Sequence, residues 1–123
     1  MAVMGIFLAC GQRDDPDEFV RREVAELQKR TIAPGSKVLV QFGPKQDGWS
    51  KSAKWGFETN WDWAHYGQWV TSQLRPDFGI SHVDASHVVF VRSLRGDTEE
   101  LGIEAESDGH KLRVTITLVV YPN

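Results

Sequence analysis

Apolar and polar positions divide this chain into segments with two different periods. Phe19, Val20, Val24 and Leu27 recur at helical spacing, with Arg21, Arg22, Glu26 and Lys29 on the remaining faces. Asp15 can cap that helix, Pro16 suits its first position, and Asp17 and Glu18 favour its positive end. Ala33-Pro34-Gly35 supplies the stop. From Ser36 to Gly43 the period becomes two, with Val38, Val40 and Phe42 on one side of a predicted strand. Residues 44–52 read as a polar loop, and Ala53, Trp55 and Phe57 as a second strand. Thr59-x-x-Asp62 announces a second helix, with Trp63, Tyr66, Trp69, Val70 and Leu74 along one stripe until Pro76.

From Phe78 onward the pattern predicts an antiparallel meander, with a turn at Gly96-Asp97. Its last hairpin centres on Asp108-Gly109, a dipeptide suited to a two-residue type I′ turn. Folded there, Ile103 faces Val114 and Glu106 faces Lys111, so one face pairs apolar residues and the other pairs acid with base. The predicted fold class is α+β. Two helices pack on one face of a twisted, mainly antiparallel sheet of about four to six strands.

With 123 residues, residues 16–123 read as one α+β domain with its own core. A formal charge of −3 argues against nucleic acid, whose phosphates demand clustered Lys and Arg. The interleaved Lys45, Trp49, Lys51, Lys54 and Trp55 are too few to reverse that reading. A single cysteine allows no intramolecular disulfide. No run approaches the roughly 20 apolar residues of a spanning helix.

Residues 1–10 are uncharged, almost wholly apolar and end in Cys10; residues 11–15 are polar and acidic, like a tether. Ile6-Phe7-Leu8-Ala9-Cys10 resembles the lipobox of bacterial lipoproteins. The resemblance implies removal of the apolar segment, lipidation of Cys10 and a lipid-anchored place in the cell envelope or periplasm. The competing reading is a buried first strand, Val3 to Leu8, in a cytoplasmic protein.

Candidate chemistry is sparse. There is no Gly-x-Ser-x-Gly elbow and no glycine-rich phosphate loop, so no catalytic residue and no cofactor is assigned. His82-x-Asp84-x-x-His87 brackets a predicted turn at Asp84-Ala85 that sets the imidazoles face to face. That cluster would suit a metal-dependent enzyme, but local sequence supplies no further ligand, and a solvated hairpin tip that happens to carry histidines explains it more simply, so no metal ligand is assigned. Of five tryptophans, Trp49 and Trp61 are the candidate ligand contacts, while Trp55, Trp63 and Trp69 belong to the predicted core. A small-ligand or glycan module would need an open cavity lined by Trp55 and Phe90. The run Val88-Val89-Phe90-Val91 is apolar on both faces, and Val119 breaks the polar alternation of the last strand. Val89, Val91 and Val119 therefore mark a candidate interface with a protein partner or a second copy. On this reading the protein is a small non-enzymatic envelope domain that works by binding a partner.

Overall fold

A computed structural model describes residues 16–122. Helix α1 (Pro16–Thr31) leads into β1 (Lys37–Asp47) and β2 (Ser50–Thr59). Helix α2 (Trp63–Leu74) follows, and then β3 (Gly79–Val83), β4 (His87–Leu94), β5 (Asp97–Asp108) and β6 (Lys111–Tyr121). The strands form one antiparallel sheet of six in the order β1-β2-β6-β5-β4-β3, with the last four in meander. Both helices lie on one face, as the apolar periods predict. Residues 1–15, with Cys10, the tether and the Asp15 cap, fall outside the described residues.

The core forms where inward strand positions meet the helix stripes. Trp55 and Phe57 of β2, Val114, Ile116 and Leu118 of β6, Leu101 and Ile103 of β5, and Phe90 of β4 are fully buried. Val20 and Leu27 of α1 and Tyr66, Val70 and Leu74 of α2 close over them. Trp63 and Trp69 pack against this core only partly buried. Asp62, not Thr59, caps α2 by accepting the His65 N–H at 2.8 Å. Thr59 instead ends β2 and accepts the Trp61 N–H through its hydroxyl.

Three hairpin turns differ from the sequence expectation. At the β5–β6 turn Asp108 pairs with Lys111, so Gly109 and His110 are the central residues. Of those two, only Gly109 has positive φ (66°), which fits type II′ rather than type I′. Every partner on β6 is thereby displaced by two residues. Ile103 faces Ile116 and Glu106 faces Arg113. A shift of two keeps each side chain on its expected face, so the apolar match survives. The β4–β5 turn is Arg95-Gly96, both at positive φ (56° and 85°), a type I′ pair one residue earlier than expected. Residues 44–52 are not a loop. They extend β1 and β2 into a hairpin that turns at Gly48-Trp49, with an irregularity between Phe42 and Lys45. Gly43 sits there at φ 103°, where a Cβ would lie 2.8 Å from the Ala53 backbone, so only glycine fits.

Two buried polar groups of contacts fasten the helices to the middle of the sheet. The Trp55 indole N–H donates to the Thr31 hydroxyl (3.0 Å), and the Tyr66 hydroxyl donates to the Thr31 carbonyl (2.6 Å). Burial pushes the Tyr66 phenol well above its ordinary pKa. Elsewhere the Arg92 guanidinium on β4 binds Glu99 of β5 at 2.8 Å, Glu23 of α1 at 2.5 Å, and Asp77 beyond α2. Asp77 also binds Arg30 of α1, which itself donates to the Gln73 carbonyl. Phe78 lies against both cations, with the Arg92 and Arg30 carbons 4.3 and 5.8 Å from its ring centroid. Burial raises the Glu99 pKa against the opposing pull of Arg92. Arg30 in the first place holds Asp77 below its ordinary value.

Removing one member of a buried ion pair strands the other. Arg92→Met is expected to destabilise the fold by about 3–5 kcal/mol, whereas Arg92→Met with Glu99→Leu recovers a large part of that loss. Urea unfolding of both variants checks this; a single variant no less stable than the double would contradict it.

Candidate functional site: the uncovered edge of the sheet

The two helices dry the four central strands and leave the edges bare. On the helix side of β3, Ile80 pairs with Phe90 and Val83 with Val88, so both point toward the core layer. Yet Ile80 is 45 % and Val83 64 % exposed, while Phe90 beside them is fully buried. Helix α2 stops short of them and leaves an apolar groove of about 570 Å³ between itself and β3. Ala64, Gly67 and Thr71 form its helical wall, and Ile80, Val83 and Val88 its floor. Trp63, Gln68 and Arg75 line the same wall, so small and large side chains alternate along it. No residue of β3 is buried, and its outer backbone edge pairs with no other strand of the described residues. Sequence reasoning missed Ile80, Val83 and this wall. Nothing local in the sequence marks them, because the groove depends on how far α2 reaches over β3.

The opposite face of the sheet carries no helix among the described residues, and Val89, Val91 and Val119 lie on it, half-buried. Register shows what separates them. One row across the sheet reads Val91, Glu100, Val119, Ser52; the next reads Val89, Gly102, Thr117, Lys54. Glu100 and Gly102 thus interrupt the three valines. A third row alternates in charge from Glu106 through Arg113 and Glu58 to Lys37, with Arg113 bonded to Glu58 at 3.2 Å. The same face carries Phe42, beside Lys54 and 63 % exposed, and Tyr121, so apolar residues are scattered among polar ones.

The histidines come together by a route other than the one expected. His82 pairs with Val89 rather than facing His87, because Asp84 and His87 close a turn centred on Ala85-Ser86, one residue later than expected; His82 and His87 are then diagonal neighbours on one face. The imidazole centroids are nevertheless 5.5 Å apart, and the His82 Nε2 lies 3.1 Å from the Asp84 carboxylate. That contact, with the Ser86 N–H, holds the Asp84 carboxyl below its ordinary pKa. His65 takes no part; it stacks on Trp61 at 4.0 Å.

Trp49 and Trp61 separate sharply. Trp49 projects from the β1–β2 turn, 88 % exposed, at the rim of a cleft of about 260 Å³ beside Phe19 and Val120. Trp61 is half-buried, wedged between His65 and an edge-on Trp69 at 5.7 Å. Trp55 and Phe90 are fully buried and line no opening, so the cavity required for an internal small-ligand site is not formed by them. No protein-family model, curated protein or solved structure matches the chain.

With the other tryptophans buried or half-buried, Trp49→Phe is expected to remove most of the acrylamide-quenchable tryptophan emission. It should change stability by less than about 0.5 kcal/mol, as exposed positions do. Unchanged quenching would show that Trp49 is covered in solution.

Proposed function

We propose that this protein is a small non-catalytic assembly module that joins a second copy of itself along β3 and the groove beneath α2. The observation that carries this reading is the pairing of a bare strand edge with apolar side chains left uncovered on the same strand. Ile80 and Val83 are already about half covered, so burying the rest of each stabilises association by about 1 kcal/mol per side chain. An antiparallel neighbour at the edge would satisfy the free backbone groups as well. This chain's own β3 presents both features, and a two-fold axis makes the surface self-complementary. The face with Val89, Val91 and Val119 offers a weaker alternative, because Glu100 would need a partner wherever those valines were covered.

The resemblance of residues 6–10 to a lipobox supports an envelope setting for this module, anchored through Cys10. Intact mass of protein from its native membranes is expected to show residues 1–9 removed and acyl groups added; an unprocessed mass would contradict the anchor.

Sedimentation equilibrium tests the assembly. The wild-type chain is expected to be a dimer, Val83→Asp and Ile80→Asp monomers, and Val89→Asp still a dimer. A monomeric wild type would overturn the reading. So would a dimer that Val89→Asp dissociates and Val83→Asp does not.

A further inference from the structure

The turn between β3 and β4 holds three metal-ligating side chains in one cluster. One ring nitrogen each of His82 and His87 and a carboxylate oxygen of Asp84 lie within 4.8 Å of one another. Two ligand atoms on opposite sides of a transition ion, at bond lengths near 2.1 Å, are about 4.2 Å apart, and about 3.4 Å in a tetrahedron. The widest gap in the cluster must therefore contract by up to about 1.4 Å for a tetrahedral ion, a shift that side-chain rotations can supply.

Several contacts already aim the ligands inward. The Asp84 N–H donates to the His87 carbonyl at 2.8 Å, closing the turn. The Ser86 N–H donates to one Asp84 carboxylate oxygen, while the other oxygen meets the His82 Nε2. Gly102 lies beside His87, where a Cβ would make ordinary contact with the His87 Nε2 at 3.8 Å. Glu104 stands opposite His87 in the β4–β5 ladder, outside the cluster. Two imidazoles and a carboxylate favour a borderline divalent transition ion over magnesium or calcium, which prefer all-oxygen sites.

We propose that His82, Asp84 and His87 form a binding site for one divalent transition-metal ion of the zinc class, with remaining coordination positions open to water. An open three-ligand site of this kind can bind an ion and present it to a further ligand. The site is distinct from the groove, sharing only Asp84 with its rim, and its test reads ion binding rather than assembly.

Calorimetric titration of the untagged, metal-stripped full chain with zinc chloride is the test, with magnesium chloride as the control. One zinc per chain, with no magnesium binding, is expected. His82→Ala and His87→Ala should each weaken zinc binding by about tenfold or more, whereas His65→Ala and His110→Ala should leave it unchanged. Thermal unfolding of each metal-free variant confirms that the fold is kept, since all these residues but His87 are exposed. Absence of saturable zinc binding would overturn the proposal. Equal weakening by His65→Ala or His110→Ala would also overturn it, because binding would then be scattered over surface imidazoles.

Discussion

Two helices are too narrow for six strands. Strands spaced about 4.8 Å apart give a six-stranded sheet a width of about 24 Å between its outer axes. Two packed helices, at an interaxial distance of 8–10 Å, cover about 20 Å at most. The four central strands are dry, and inward-facing residues become exposed only at the edges: Val38 on β1, Ile80 and Val83 on β3. The two edges meet this shortage differently. β1 is irregular at two places and carries Lys37 and Lys45, features that discourage another strand from pairing. β3 has one irregularity and keeps apolar side chains beside an open groove. Functional potential in this fold follows from where coverage runs out.

The placement of the helices is held from the inside. Arg92 on β4 gathers carboxylates from α1, from β5 and from the segment after α2, and Arg30 closes the circuit back to α1. Thr31, next to Arg30 at the C-terminal end of α1, adds neutral hydrogen bonds with Trp55 and Tyr66. A buried ionic cluster is a costly way to gain stability, but its geometry is demanding, and each wrong helix position leaves a charge without its partner. Helix α2 therefore cannot slide toward β3 to cover Ile80 and Val83 without pulling Asp77 from both arginines.

Local information carried the fold class, and longer-range information did not survive in sequence. The stripe of Val20 and Leu27, the alternation of Ala53, Trp55 and Phe57, and the apolar side of β6 each depend on residues a few positions apart, and all were legible. The turn at Asp108-Gly109 misled by two residues because Asp-Gly fits type I′ while a glycine followed by any residue fits type II′ equally well. His82 and His87 meet diagonally rather than face to face, because the turn centres on Ala85-Ser86, and the local sequence Asp84-Ala85-Ser86 does not announce which pair turns. The Arg92–Glu23 contact joins residues 69 positions apart, beyond any motif. Exposure of Ile80 and Val83 was invisible for a related reason: it depends on where α2 ends over the sheet, not on anything in β3 itself. The sequence leaves open which face Val89, Val91 and Val119 take, and it does not show that Glu100 and Gly102 stand between them.

If the shortage of coverage is what this protein uses, the residues it leaves bare must touch another molecule of the same chain. Methyl NOEs between a labelled and an unlabelled copy in a mixed sample report that contact directly. The account predicts intermolecular NOEs linking the methyls of Ile80 and Val83 to those of Ala64 and Thr71. Intermolecular NOEs confined to Val89, Val91 and Val119, or none between copies at all, would contradict it.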